Sequence, residues 1–124
     1  MSIVYAATLG ERSQAITVAL DRLLERYTYS HVAVLHTDAS GSRMAKPRND
    51  LKVVLESDYQ SLPTRWHEIR FSDGASMFDI DNQHSAEGYY QSVLQILYDY
   101  KREGYTIHLM VAGGRKAMSI YAML

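Results

Sequence analysis

Four short apolar runs, each separated from the next by a polar or amphipathic stretch, set the pattern of this chain. Residues 3–7 (IVYAA), 31–36 (HVAVLH), 66–71 and 105–111 (YTIHLMV) read as strands. Largely apolar runs of this length, bounded by turn residues, are the signature of strands buried on both faces. The first helix is expected over residues 13–26, opened by Ser13 as N-cap. Its apolar positions Ile16, Leu20, Leu23, Leu24 and Tyr27 recur at one face of a 3.6-residue period. Residues 37–49 are polar and hold Gly41 and Pro47, which predicts a loop; residues 50–58 predict a shorter helix with Leu51, Val54 and Leu55 inward. Pro63 ends a turn before the third strand. A second loop, 72–85, precedes the most regular helix, whose stripe Tyr90, Val93, Leu94, Leu97, Tyr98 and Lys101 is expected to face the core, with Tyr89 and Tyr100 outward. Gly104 falls where a left-handed C′ residue would close that helix. After the fourth strand, residues 117–124 (AMSIYAML) read as the start of a last helix.

Strands alternating with helices predict an α/β, Rossmann-like single domain spanning residues 1–124. Its sheet is expected to be mainly parallel, with helices on both faces and a strand order of 3-2-1-4 at the core. Ligands of such sheets bind beyond the carboxyl ends of the strands, where the winding reverses. In this order the reversal lies between strands one and four. Two sequence-remote turns therefore meet there: residues 8–14 (TLGERSQ) and the segment Ala112-Gly113-Gly114-Arg115-Lys116.

That second segment is the most informative in the chain. A buried strand, two glycines and a helix start bearing two cations make a phosphate site. Glycine lets backbone approach the anion, and the N–H groups of a first helical turn face it. Arg115 can grip a phosphate through two donors and Lys116 acts as a point charge; both would be merely solvated in a plain strand-to-helix turn. Ser13 and Gln14 can donate to a phosphate or ribose, and a capping role for Ser13 is compatible with that. The dinucleotide fingerprint is missing, because Gly10 stands without its partners and His36 and Thr37, not an acid, end strand two. The phosphate loop of nucleotide triphosphatases is missing too, since Lys116 follows the glycines after a single residue.

The five histidines (31, 36, 67, 84 and 108) show no ligand spacing, and four of them lie in or beside strands, where a structural role is expected. His84 lies in a loop within reach of the site. Asp73, Asp79 and Asp81 form a loose acidic cluster better suited to shaping a loop than to holding a metal; no metal and no cofactor is expected. The chain has no cysteine, which excludes disulfides and thiolate chemistry. No stretch has the length of a membrane span and the start lacks a signal-peptide pattern, so no membrane partner and a cytoplasmic location are expected. Formal charge is −1, from 13 Lys+Arg against 14 Asp+Glu. A protein tracking long nucleic acid carries a basic excess, so a bound anion is expected to be small and held in one focused site.

Taken in order, Thr8-Leu9-Gly10-x-x-Ser13-Gln14, Leu35-His36-Thr37, Asp79-Ile80-Asp81 and Ala112-Gly113-Gly114-Arg115-Lys116-Ala117-Met118 resemble the CARF domains (CRISPR-associated Rossmann fold) of type III CRISPR systems. They are most similar to the ring-nuclease branch. The resemblance implies a homodimer that binds a cyclic oligoadenylate, most often cyclic tetra-adenylate, across its two-fold axis. It also implies metal-independent cleavage by a ribose 2′-OH on its own adjacent phosphate, which switches off antiviral signalling. Lys116 and Ser13 would then be catalytic, with Thr8, Leu9, Gly10, Ser13, Gln14, Asp79, Gly113, Gly114, Arg115, Lys116 and Met118 binding the ligand. A non-cleaving sensor that controls a fused or partner effector is the second reading. Proteins of that branch continue past the glycine-Arg-Lys helix, so the resemblance also implies either a shortened version or one portion of a longer protein.

Overall fold

Strand β1 (Ile3–Thr8) lies at the centre of the sheet, and every other element is placed by reference to it. The computed structural model describes residues 2–40, 43–78, 80–111 and 120–123, the last four by backbone alone. The chain continues through α1 (Gln14–Leu24), β2 (His31–His36), α2 (Ala45–Asp58), β3 (Thr64–Glu68), α3 (Gln83–Arg102), β4 (Thr106–Val111) and β5 (Ile120–Met123). The sheet order is β3-β2-β1-β4-β5. The first four of these are mutually parallel, with Thr8 level with Leu35 on one side and with Val111 on the other. The expected α/β, Rossmann-like core of order 3-2-1-4 is what the chain adopts.

Alternation along the strands divides the core in two. Tyr5, Ala7 and Leu9 of the β1 region, Val32 and Val34 of β2 and Met110 of β4 pack with Ile16 and Leu20 of α1 and Leu51 and Leu55 of α2. Val4, Ala6, Ala33, Leu35, Ile107 and Leu109 point the other way and pack with Leu97 and Tyr100 of α3. Burial on both faces is why β1, β2 and β4 read as unbroken apolar runs.

Three expectations are corrected. The last helix expected over 117–124 is overturned where the structure describes it: Ile120–Met123 form β5, antiparallel to β4, with Val111 level with Ile120 and His108 level with Met123, while residues 117–119 and 124 lie outside the described residues. A short apolar run has no decisive period, and β4 would otherwise be a sheet edge with unpaired N–H and C=O groups. Eight residues separate Val111 from Ile120, fewer than a parallel crossover needs.

The second correction concerns α2, which starts at Ala45 rather than residue 50. Pro47 falls in its first turn, where no N–H partner is needed, so it is buried inside the helix start instead of marking a loop.

The third concerns α3. Tyr100 is 4% exposed and Tyr89 packs on the core, whereas Tyr90, Leu94 and Tyr98 are 65%, 47% and 58% exposed. The helix is turned so that Ser85, Leu97 and Tyr100 face inward. Its start is fixed by Asn82, whose side chain accepts from Ser85 N at 2.8 Å while Ser85 Oγ accepts from Asn82 N at 3.1 Å. This reciprocal cap satisfies two orphan donors, and Gly104, at φ +93°, closes the helix as expected. Smaller shifts affect β3, which runs Thr64–Glu68 rather than 66–71, and α1, which ends at Leu24. In α1 the last turn tightens, with Arg26 N bonding Leu23 O at 3.0 Å.

Candidate functional site

Parallel strands joined by helical crossovers bring the helix starts to the carboxyl edge of the sheet. The turn after β1 lies at that edge. Thr8 is 2% exposed, held between Leu35 and Val111, and its side chain hydrogen-bonds the Tyr89 phenol of α3. Burial pushes that phenol up, and Thr8 partly offsets the shift. Leu9 N donates to Leu35 O at 2.8 Å, which carries the β1–β2 ladder one residue beyond the strand and buries Leu9. Gly10 is half-buried, and Gln14 opens α1 with an exposed side chain.

Ser13 departs from simple capping. It occupies the N-cap position and is 6% exposed, yet its φ of −61° and ψ of −27° are helical and its hydroxyl makes no capping hydrogen bond. A capping serine needs extended backbone to aim its oxygen at the N2 or N3 amide. The hydroxyl is therefore held in the turn without serving the helix.

Neighbouring loops meet this turn. Glu11 and Arg43 pair at 3.6 Å, joining the β1–α1 turn to the approach to α2. Asp38, two residues past β2, was not anticipated from the sequence. Its Oδ1 accepts from Ser40 N at 2.7 Å and Ser40 Oγ at 2.5 Å. Those two bonds, helped by Ser76 and the charge of Arg70, hold its carboxyl below the usual range. Asp38 N donates to Met77 O at 2.7 Å, so the 72–82 loop is tied to the same edge. An acid two residues past an apolar strand, at the carboxyl edge, was the available signal. His36, which ends β2, gives its Nδ1 proton to Thr37 O at 2.7 Å, and burial lowers its pKa.

The other histidines, and Asp73 and Asp81 of the acidic cluster, have local partners. His31, His67 and His108 bond tyrosines within the core. His84 belongs to the first turn of α3 and stacks on Phe71 with ring centroids 4.9 Å apart. Asp73 accepts from Ala75 N, and Asp81 accepts from Ser85 Oγ. Among the described residues no group of three or more His, Asp or Glu side chains is placed to hold a metal ion, and no helix is long and apolar enough to cross a membrane. A groove of about 370 Å³ between α2 and β3, lined by Lys52, Tyr59 and Trp66 among others, contains none of the sequence-predicted site residues.

Thr8, Leu9, Gly10, Ser13 and Gln14 are thus brought together at the carboxyl end of β1, beside the end of β4. Asp79, Gly113, Gly114, Arg115, Lys116 and Met118 lie outside the described residues. Val111 and Ile120, which bound the glycine-Arg-Lys segment, are paired at that same edge next to Thr8.

Comparison with curated proteins gave no match, and neither did comparison with solved structures. A family model does match, that of CRISPR-associated protein NE0113 (Cas_NE0113), over residues 12–124. That span runs from the turn before α1 through β5 and takes in nearly all of the chain, so the protein belongs to the CRISPR-associated NE0113 family.

Proposed function

We propose that this CRISPR-associated protein binds a cyclic oligoadenylate, cyclic tetra-adenylate foremost, at the carboxyl edge between β1 and β4, and cleaves it without a metal. The observation that carries this reading is Ser13, 6% exposed as a residue and held in the switch-point turn, whose hydroxyl makes no capping bond to the helix it precedes. A serine kept there without a structural use suits a hydrogen bond to a ligand's phosphate or ribose. The family supports a CRISPR role, and the strand order supports a ligand at this crevice.

In the proposed reaction a ribose 2′-OH attacks its adjacent phosphorus and the P–O5′ bond breaks. The products are a 2′,3′-cyclic phosphate and a free 5′-OH, and no outside reactant is consumed. Lys116 stabilises the charge developing on the phosphorane, Ser13 fixes the scissile region, and Arg115 with the backbone of Gly113 and Gly114 holds phosphate. Alignment of the attack and electrostatic preorganisation supply the acceleration. A C2 homodimer would present two copies of each turn to a ring whose halves repeat. With no general base assigned, turnover is slow.

The test is incubation of the purified protein with cyclic tetra-adenylate in EDTA, with products followed by chromatography and mass spectrometry beside Lys116→Ala. Linear products ending in cyclic phosphate, lost in the variant, are expected. Ligand that co-elutes intact would make the protein a sensor, and absence of binding would overturn the reading.

A further inference from the structure

The outward face of α3 carries a pattern that its fold does not use. Glu87, Tyr90, Leu94, Tyr98 and Lys101 are all exposed. Counted from Leu94 they stand at −7, −4, 0, +4 and +7, and at about 100° per residue all five fall within an arc of roughly 80°. Ser85, Leu97 and Tyr100 occupy the opposite, buried side. The stripe is chemically symmetric about its centre, with an aliphatic residue flanked by two tyrosines and ended by opposite charges. Over four turns it spans about 21 Å. Among the described residues neither Glu87 nor Lys101 takes part in an ion pair; Glu87 only accepts from Gln83 on its own helix.

From this symmetry we infer that α3 is a docking surface for a second copy of this chain, packed antiparallel about a two-fold axis through Leu94. In that arrangement residue 94−k faces residue 94+k of the other copy. Leu94 then meets Leu94, each Tyr90 meets a Tyr98, and each Glu87 meets a Lys101. The Tyr90–Tyr98 and Glu87–Lys101 contacts each occur twice and the Leu94 contact lies on the axis, as an isologous interface requires. A parallel pair would set Glu87 against Glu87 and Lys101 against Lys101, so the charges select the antiparallel register. Large exposed apolar side chains in one contiguous stripe, rimmed by charge, are the usual composition of an association surface.

This contact is distinct from the ligand-spanning dimer proposed above. Helix α3 starts at the carboxyl edge of the sheet and ends at the amino edge, where β4 begins. An antiparallel pair therefore points the two carboxyl edges in opposite directions, and both copies keep their ligand crevice open.

The test uses the ligand-free protein. Sedimentation equilibrium is expected to show concentration-dependent dimers, weakened at least about tenfold by Leu94→Glu. Glu87→Lys and Lys101→Glu alone should each weaken association roughly fivefold, and the double exchange should restore it. Since the chain has no cysteine, a short bis-maleimide reports register directly. It should join Tyr90→Cys chains to Tyr98→Cys chains in a mixture, and like chains far less. Far-UV circular dichroism matching the wild type identifies variants that still fold, as exposed positions should allow. A monomeric wild type at 100-micromolar scale, a dimer indifferent to Leu94→Glu, or charge exchanges that fail to compensate would each overturn the inference. Cyclic oligoadenylate cleavage is read out separately, and its failure would leave this surface untouched.

Discussion

His67 Nε2 on β3 lies 2.6 Å from the Tyr100 hydroxyl on α3, tying the outer strand of the sheet to the helix on that face. The same hydroxyl reaches His31 Nε2 on β2 at 3.1 Å, and His31 Nδ1 meets Ser30 Oγ at 2.9 Å. On the opposite face Tyr29 bonds His108 Nδ1 at 2.7 Å. His31 and Ser30 stand at the start of β2, at the amino edge of the sheet, away from the candidate site. These contacts let polar rings sit in the core because each has a partner.

Burial holds these imidazoles neutral, and that fixes how stability depends on pH. His31 is pushed down to about 4 by desolvation first, then by Arg65 and His67. His67, His36 and His108 are lowered too, chiefly by desolvation. A histidine whose folded pKa lies below its unfolded value of about 6.5 leaves the unfolded chain binding more protons in between. The stability it contributes is present above 6.5 and lost as pH falls towards the folded pKa. Thermal melts should therefore show Tm level above pH 7 and falling steadily from 6.5 towards 4, before most carboxylates titrate. A Tm that stays flat to pH 5 would contradict this.

Removing the Tyr100 hydroxyl should cost more than an ordinary hydrogen bond. Tyr100→Phe keeps the ring and its packing but leaves His31 Nε2 and His67 Nε2 facing an apolar edge. An orphaned buried polar group costs about 1–3 kcal/mol, so urea denaturation should show a loss in that range with an unchanged slope. A loss below about 0.5 kcal/mol would mean that water replaces the phenol.

Gly88 is expected to resist the substitution that helix propensity favours. Alanine in a helix interior gains about 1 kcal/mol over glycine. Here its Cβ would stand 2.8 Å from Phe71 Cδ1 and 3.3 Å from Met77 Cε. Phe71 is itself stacked on His84, so the ring has little room to retreat. Overpacking of this kind costs about 1–3 kcal/mol. Gly88→Ala should therefore be destabilising on balance, and Phe71→Leu in the same chain should recover part of the loss. A more stable Gly88→Ala protein would show that the 71–77 loop yields freely.

Much of this architecture is legible in the chain, for physical reasons that also mark where legibility ends. Strands β1, β2 and β4 are short, largely apolar runs bounded by turn residues, and their length and β-branched content favour strand over helix. The switch-point turn follows from their order. Helix α3 carries two apolar stripes, Tyr89, Val93, Leu97 and Tyr100 against Tyr90, Leu94 and Tyr98. Both satisfy a 3.6-residue period, and only the sheet beneath decides which is buried. The run at Ile120 is likewise ambiguous until an open edge of β4 captures it. Asp38 escaped notice because its partners, Ser40 and the 72–82 loop, are brought to it by the fold. The half of the proposed site that includes Arg115 and Lys116 was identified by its glycines and charges alone.

Ser13 separates a structural from a functional reading of the β1–α1 turn. If its hydroxyl capped α1, Ser13→Ala would cost about 1 kcal/mol of stability. It makes no capping bond and its backbone is helical, so alanine, a better helix former, should change stability by less than about 0.5 kcal/mol. A hydrogen bond to a charged phosphate contributes about 1.5–3 kcal/mol, so the same variant should bind cyclic tetra-adenylate about tenfold more weakly or worse. Denaturant melts and calorimetric titration on one preparation measure both quantities. Lost stability with unchanged affinity would return Ser13 to a purely structural role. Unchanged stability with weakened binding would place its hydroxyl on the ligand, since only an interaction absent from the free protein can be lost on binding alone.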